Sequence, residues 1–225
     1  MIKAIVWDFD GVIVDSEPLH YRAFLRVAKG FGFDFTWDDY VEKFIGYDDR
    51  DAFRIMLGRP PEPTPDEDLD HLAKLCDEKA LAFEAVVNKC IEPIPGSITL
   101  IDQAAQTGMT QAIASGATRR DIELILDKLN LASRFTLVVS ADDVARSKPD
   151  PQTYRLACEG LGIASNACLS IEDTPAGITS ARGAGLWSVA LNSSATDSSQ
   201  LHQAHRMVET LEGLTVEQLQ EWFGQ

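Results

Sequence analysis

Two aspartates and a glycine follow the first apolar segment of the chain. Residues Ala4 to Trp7 are apolar without interruption, which is the pattern of a strand covered on both faces. Asp8, Asp10 and Gly11 come immediately beyond this segment. Buried carboxylates are costly unless they are paired or bind a metal ion. The pattern therefore indicates either a solvated strand end or a cation site, and the acids found later in the chain favour the cation.

Polar residues that can bind phosphate or a metal ion also follow three later apolar segments. They are Ser115 and Gly116 after residues 110–114, Lys148 beyond residues 135–139, and Glu172 with Asp173 after residues 167–171. In open α/β sheets, ligands bind outside the carboxyl ends of the strands. We therefore expect these groups at one edge of a sheet, where together they indicate phosphoryl transfer assisted by Mg²⁺.

The carboxylates suit this chemistry individually. Mg²⁺ prefers hard oxygen ligands and keeps several waters, so Asp8, Asp173 and a backbone carbonyl would supply part of its shell. A carboxylate attacks phosphorus without first losing a proton, which makes Asp8 a candidate nucleophile. Asp10 is a candidate acid for the leaving oxygen and a candidate base for the incoming one.

The transferred phosphoryl group keeps its negative charge, and several groups are candidates to hold it. They are the Ser115 hydroxyl, the amides around Gly11 and Gly116, and the Lys148 ammonium. Each group also has an ordinary structural explanation, since serine and glycine cap helices, lysine is common at surfaces, and acids favour a helix N-terminus. Their joint occurrence after successive strands favours phosphoryl transfer.

Strand and helix patterns alternate in the second part of the chain, which predicts an α/β fold with a parallel sheet and helices on both faces. The predicted strands are residues 4–7, 110–114, 135–139, 167–171 and 186–191. The predicted helices that alternate with them are residues 97–107, 118–130, 151–160 and 174–183.

Residues 16–90 carry only helical patterns, so a helical block is predicted after the first strand. Its predicted helices are residues 17–29, two short ones within residues 37–58 separated at Gly46, and a long one from Asp66 to Asn88. Ser16 is the candidate cap of the first helix, which Gly30 and Gly32 should end. The expected domains are residues 1–15 with 91–225, and residues 16–90.

The chain is acidic, with a net charge of -15 over 225 residues and an isoelectric point near 4.6. Such a surface repels nucleic acid and anionic membranes, so neither is an expected partner. Because no signal peptide or membrane-length apolar segment is evident, we expect a cytoplasmic monomer. The cysteines, Cys76, Cys90, Cys158 and Cys168, form no C-x-x-C pair and are expected to be free buried thiols.

The ordered motifs resemble those of the haloacid dehalogenase superfamily, in its phosphatase and phosphomutase branch. The resemblance covers essentially the whole chain and rests on four motifs: D-x-D-G at residues 8–11, a serine after an apolar strand at Ser115, a lysine before proline at Lys148, and paired acids at Glu172 and Asp173. It implies a Rossmann-like catalytic core, with the helical block serving as a cap domain.

The resemblance also implies roles for individual residues. Asp8 is then the nucleophile that forms an aspartyl-phosphate, and Asp10 is the general acid and base whose backbone carbonyl binds Mg²⁺. Asp173 is then a direct metal ligand, and Glu172 is reached through water. Ser115 and Lys148 hold the phosphate.

The subfamily is indicated by residues 15–20 and 46–50, which look like β-phosphoglucomutase and its sugar-phosphatase relatives. His20 and Arg50 match positions that contact substrate in the mutase. The mutase pattern has a lysine shortly after the motif serine, whereas this chain has residues 116–119, Gly-Ala-Thr-Arg. We therefore expect a phosphatase for a small phosphomonoester, such as a sugar phosphate or phosphoglycolate. A hexose-phosphate mutase is the alternative, and a receiver-like phosphorylation-dependent binding module is a remote one.

Overall fold

A computed structural model describes residues 1–45, 47–64, 68–192 and 201–224. Within these residues, the strands are β1 (Ala4–Trp7), β2 (Thr110–Ala114), β3 (Leu137–Val139), β4 (Cys168–Glu172), β5 (Trp187–Leu191) and β6 (Arg206–Val208). The α-helices are α1 (Glu17–Gly30), α2 (Trp37–Lys43), α3 (Asp49–Met56), α4 (Leu69–Cys90), α5 (Ser97–Gln106), α6 (Arg119–Lys128), α7 (Gln152–Leu161), α8 (Pro175–Gly183) and α9 (Val216–Phe223).

The strands form one parallel sheet in the order β3-β2-β1-β4-β5-β6, which confirms the predicted α/β class. This is the order of the Rossmann fold, and it differs from the 2-1-3-4-5 order of response-regulator receivers. Every residue of β1 is buried, as its unbroken apolar run predicted. In the central register, Trp7 lies between Ile113 of β2 and Ile171 of β4. The segments that follow these three strands therefore leave the sheet at the same edge.

Most predicted elements exist, with shifts at their ends. Strand β3 begins at Leu137 rather than at residue 135, because a 3-10 turn at Ala132–Arg134 leads into it. Strand β4 includes Glu172, which the sequence placed just after the strand. Two elements were not predicted: β6, which is a short and partly exposed edge strand, and α9.

The ends of α1 correct one prediction. Ser16 precedes the helix, but its backbone is already in the α region and its side chain makes no capping hydrogen bond. A serine caps a helix when its own backbone is extended, so this prediction was wrong. At the other end, Gly30 is the last helical residue and Gly32 takes a φ of +82°, while the Phe33 amide donates to the Ala28 carbonyl at 3.0 Å. The predicted break at Gly46 and the predicted helix start at Asp66 lie outside the described residues.

The chain divides into two compact units. One unit comprises Met1–Asp15 with Glu92–Gln225 and contains the sheet with helices α5 to α9. The other comprises Ser16–Ile91 and contains helices α1 to α4, with α1 packed along α4. The core of this helical unit includes the buried rings of Phe24, Phe53 and Phe83.

The cysteines are free, as predicted, but they are not all buried. Cys158 and Cys168 are buried, Cys76 is half-buried, and Cys90 is exposed because it is the last residue of α4. No helix in the described part of the chain is long and apolar enough to cross a lipid bilayer.

Candidate active site

Asp8 stands at the point where the central strand ends. Its amide donates to the carbonyl of Ile171 at 3.0 Å, which extends the β1–β4 hydrogen-bond ladder by one residue. The Asp8 side chain is almost completely buried. Its Oδ1 atom accepts hydrogen bonds from the Phe9 amide at 2.7 Å and from the Lys148 ammonium at 2.8 Å.

Lys148 joins two carboxylates that come from neighbouring strands. Its Nζ atom lies 2.8 Å from Asp8 Oδ1 and 2.6 Å from Glu172 Oε1. The Lys148 side chain is nearly buried, and burial alone would lower its pKa. The charges of Asp8 and Glu172 outweigh burial, so the pKa of Lys148 is raised above its usual value and the amine stays positively charged.

Glu172 is fully buried and has protein donors on both carboxylate oxygens. Oε1 accepts from Lys148 and also from the Tyr154 hydroxyl, each at 2.6 Å, and Oε2 accepts from the Thr174 hydroxyl at 3.2 Å. Thr174 also caps α8 by accepting from the Gly177 amide at 3.1 Å. A Cβ atom at Gly177 would lie 2.0 Å from the Glu172 carboxylate, so only glycine allows α8 to begin this close to it.

Asp173 is held against the loop that follows β1. Gly11 has a φ of +78°, and a Cβ atom built on it would lie 2.0 Å from Asp173 Oδ2 and 2.5 Å from its Cγ. The absence of a side chain at Gly11 is therefore what lets the Asp173 carboxylate, which is 6% exposed, occupy this position.

The acids outnumber the cations of this cluster. Ligand oxygens of Asp8, Glu172 and Asp173 all lie within 4.8 Å of one another. Lys148 pairs with Asp8 and Glu172, and three carboxylates carry more formal negative charge than one ammonium can offset. Burial, and next the charge of Glu172, raise the pKa of Asp8 well above its usual value. Clustered hard oxygen donors of this kind fit a divalent cation such as Mg²⁺.

Ser115, Gly116 and Asp10 lie at the same edge of the sheet. Ser115 follows β2 and is buried, and its Oγ accepts from the Ala117 amide at 3.0 Å. Gly116 is exposed, with open space where a Cβ would be. Asp10 is half-buried in the loop after β1.

Two backbone amides at this edge donate hydrogen bonds to carbonyl groups of the protein. The amide of Gly11 donates to the Val14 carbonyl at 2.7 Å, so this N–H group is engaged within its own loop. The Ser115 amide is engaged as well, because it donates to the Val139 carbonyl at 2.9 Å. The amides around Gly11 and Gly116 stay the predicted phosphate donors. Gly11 also has a steric role, because it leaves room for Asp173.

His20 and Arg50 belong to the helical unit. His20 stacks on Phe83 with ring centroids 4.1 Å apart, and its Nδ1 lies 2.8 Å from Nζ of Lys79. Because a lysine ammonium only donates, Nδ1 accepts and the imidazole proton resides on Nε2. Burial, and then the Lys79 charge, hold the pKa of His20 well below its usual value. Arg50 is exposed on α3, next to Asp49, whose carboxylate lies 2.8 Å from Lys79.

Sequence reasoning missed Tyr154 and Lys79, and each had a detectable signal. Tyr154 lies on the buried face of α7, together with Ala157 and Cys158. Lys79 lies on the apolar stripe of α4 at helical spacing from Leu72 and Leu75. A polar residue on an apolar face requires a partner, so its position alone points to a buried contact.

The family is decided by comparison with known proteins. The sequence profile of the haloacid dehalogenase-like hydrolases matches residues 5–191. The chain belongs to this family. It is 33% identical over 193 residues to Protein CbbY of Rhodobacter capsulatus, covering 82% of this chain and 83% of that protein. It is also 27% identical over 186 residues to the Phosphorylated carbohydrates phosphatase of Thermotoga maritima, covering 82% of each.

A solved structure of this haloacid dehalogenase-like family extends the likeness to the whole chain. The crystal structure of CbbY from Rhodobacter sphaeroides in complex with phosphate superimposes with a TM-score of 0.82 and 25% sequence identity, covering 100% of both chains. The predicted Rossmann-like core of this superfamily is therefore confirmed.

The contact between Gly11 and Asp173 yields a first prediction. Gly11→Ala should abolish a Mg²⁺-dependent rise in melting temperature, because its Cβ would displace the Asp173 carboxylate. Gly108→Ala is the matched control, since Gly108 has a similar φ of +74° with nothing within 4 Å of a Cβ. The left-handed conformation alone costs about 1–2 kcal/mol in either variant. Equal Mg²⁺ responses in both variants would contradict the assigned contact.

The contact between Lys79 and His20 yields a second prediction. Lys79→Met should raise the pKa of His20, because it removes one of the two causes that lower it. The measurement is an NMR titration of the His20 ring. Lys74→Met is the control, since Lys74 lies on the same helix with 73% of its side chain exposed, and it should leave the titration unchanged.

The same shift gives a pH dependence of stability. With its pKa lowered in the folded state, neutral His20 favours folding above the usual value of 6.5, and this contribution is lost as pH falls below it. The loss should be smaller in Lys79→Met, as measured by urea unfolding. An unchanged His20 pKa in that variant would exclude the contact.

Proposed function

We propose that this protein is a Mg²⁺-dependent phosphatase that hydrolyses a small phosphomonoester of the sugar-phosphate or phosphoglycolate type. The observation that carries the proposal is the buried cluster of Asp8, Glu172 and Asp173 around Lys148, at the carboxyl ends of neighbouring strands. Membership of the haloacid dehalogenase-like hydrolases supports it, as does the Phosphorylated carbohydrates phosphatase among the relatives.

In the first step, the Asp8 carboxylate attacks phosphorus and the bond between phosphorus and the ester oxygen breaks. Asp10 gives its proton to the departing oxygen, so the alcohol leaves neutral and Asp8 carries the phosphoryl group. In the second step, Asp10 takes a proton from water as the water oxygen attacks phosphorus. The bond to Asp8 breaks, inorganic phosphate is released, and both aspartates return to their starting states.

Lys148 and Ser115 are assigned to the phosphoryl oxygens. The Lys148 ammonium is already held 2.8 Å from Asp8 Oδ1, so it sits beside the atom that would receive the phosphoryl group. The Ser115 hydroxyl keeps its own proton to donate, because its oxygen serves the Ala117 amide as an acceptor. Gly116 is exposed next to it, which leaves room for a substrate.

Mg²⁺ would be held by Asp8, Asp173 and the Asp10 carbonyl, with Glu172 acting through water. Glu172 suits the indirect role because protein donors engage both of its oxygens. When bound, Mg²⁺ supplies positive charge that offsets the cluster and the phosphate.

Hydrolysis is favoured over mutase activity by the residues after Ser115. The first cation there is Arg119, and its guanidinium is engaged elsewhere. It donates to Asp143 at 2.6 Å and to the Val138 carbonyl at 3.1 Å. The β-phosphoglucomutase pattern has a lysine in this segment, whereas Arg119 is already committed to this structural contact.

The helical unit, Ser16–Ile91, is assigned as the cap domain of this phosphatase. Within it, His20 and Arg50 are the candidates for contact with the leaving group. His20 would donate from Nε2, since its Nδ1 is taken by Lys79. Arg50 is exposed and carries the charge that an anionic substrate needs.

The third prediction tests the activity itself. The purified protein with Mg²⁺ should release inorganic phosphate from at least one member of a panel of sugar phosphates and phosphoglycolate, and EDTA should stop the release. No release from the panel or from a generic aryl phosphate would refute the phosphatase. Conversion of β-glucose 1-phosphate to glucose 6-phosphate without phosphate release would establish the mutase instead.

The fourth prediction concerns the nucleophile. Asp8→Asn should lower kcat by at least about 10³-fold, because an amide cannot accept the phosphoryl group as a carboxylate does. Asp15→Asn is the matched control, since Asp15 is an exposed aspartate close by in the chain, and its kcat should stay within about twofold of the wild type, as expected for a surface change. Retained turnover in Asp8→Asn would remove Asp8 from its assigned role.

A further inference from the structure

Tyr154 is a fully buried tyrosine with one polar contact among mostly apolar neighbours. Its ring lies in a hydrophobic cluster with Ala112, Ala114, Val139 and Ala157. Its hydroxyl donates to Glu172 Oε1 at 2.6 Å. A phenylalanine would fill nearly the same volume without a polar atom to satisfy, so packing alone does not account for the hydroxyl.

The hydroxyl reaches the reacting carboxylate through two further contacts. Glu172 Oε1 accepts from Tyr154 and from Lys148, and Lys148 in turn contacts Asp8 Oδ1 at 2.8 Å. The Lys148 ammonium also lies 5.1 Å from the centroid of the Tyr154 ring. The ring of Tyr154 therefore lies beside Lys148. Its hydroxyl binds Glu172 Oε1, and the same oxygen accepts from Lys148.

We propose that Tyr154 is a positioning residue, whose hydroxyl orients Glu172 so that Lys148 is held against Asp8. The inference rests on the proposed phosphatase function for its kinetic consequence. Its structural part depends only on contacts among these residues. Without the hydroxyl, Glu172 keeps Lys148 and Thr174 as donors, but Oε1 loses one of its two donors. That oxygen can then shift, and the Lys148 ammonium shifts with it away from Asp8.

The variant that isolates the hydroxyl is Tyr154→Phe, which keeps the ring and its packing. In the metal-free protein, acetylation of Lys148 by acetic anhydride, followed by mass spectrometry, should be several-fold faster than in the wild type. In the phosphatase assay, kcat should fall about tenfold and the Mg²⁺ concentration for half-maximal activity should rise about tenfold, as is typical when the partners of metal-site residues are removed. The melting temperature in EDTA should fall, because the buried Glu172 carboxylate loses one of its donors.

A double-mutant cycle separates positioning from packing. In a Glu172→Met background, where the acceptor oxygen is absent, adding Tyr154→Phe should change kcat by less than about twofold if the hydroxyl acts through Glu172. Tyr40→Phe is the matched control, because it removes a similar buried hydrogen bond, from Tyr40 to Glu17 at 2.7 Å, in the helical unit. It should leave both Lys148 acetylation and the Mg²⁺ requirement unchanged.

Unchanged Lys148 acetylation in Tyr154→Phe would overturn the proposal, as would an equal loss of kcat with and without Glu172→Met. Failure of the proposed function would look different. A wild-type protein that releases no phosphate refutes the phosphatase, while the acetylation of Lys148 still decides whether Tyr154 holds the lysine.

Discussion

One buried ammonium shared by carboxylates from two strands is the interaction on which the site depends. Lys148 lies within 2.8 Å of both Asp8 and Glu172, and Asp173 completes a cluster whose ligand oxygens lie within 4.8 Å of one another. Burying these charges is costly, and one cation cannot offset three anions. The neighbouring features reduce that cost, because Tyr154 and Thr174 donate to Glu172, and Gly177 lets α8 start beside it.

The strand order makes this cluster possible. Asp8 and Glu172 are far apart in the chain, yet β1 and β4 are neighbours because the chain crosses to the other side of β1 after β3. Ligands of open α/β sheets bind at such a switch point. The two acid groups are therefore brought together by topology, whereas Lys148 reaches them from the loop between β3 and α7.

The sequence was most informative where a residue type at its position allowed one structural or chemical interpretation. Asp8 could be recognised as a candidate site residue because a carboxylate at the end of an unbroken apolar strand has few structural uses. The parallel sheet could be predicted from the alternation of strands and helices. The short strand β6 could not, because three residues at an exposed edge leave no clear periodicity.

Other features could not be predicted because they depend on tertiary contacts. Gly11 was recognised from the sequence, and the amides around it were predicted to hold phosphate. Only the fold shows that the Gly11 amide is used within its loop and that the missing side chain makes room for Asp173. Ser16 had the right residue type for a cap, and its backbone conformation excluded the role. Tyr154 carried a signal that becomes specific only when Glu172 is seen beside it.

Lys79 and Lys148 lie in clusters that differ in their balance of charge. Lys79 pairs with the single carboxylate of Asp49 and donates to a neutral imidazole, so its contacts are balanced in charge. Lys148 faces more acids than it can offset, and the pKa of Asp8 is raised as a result of burial and of this excess. A balanced pair can be a structural element without a ligand, whereas an unbalanced one is stabilised by binding positive charge. A lysine thus lies in a polar network in the helical unit and, with more acids around it, in an acidic cluster at the end of the sheet.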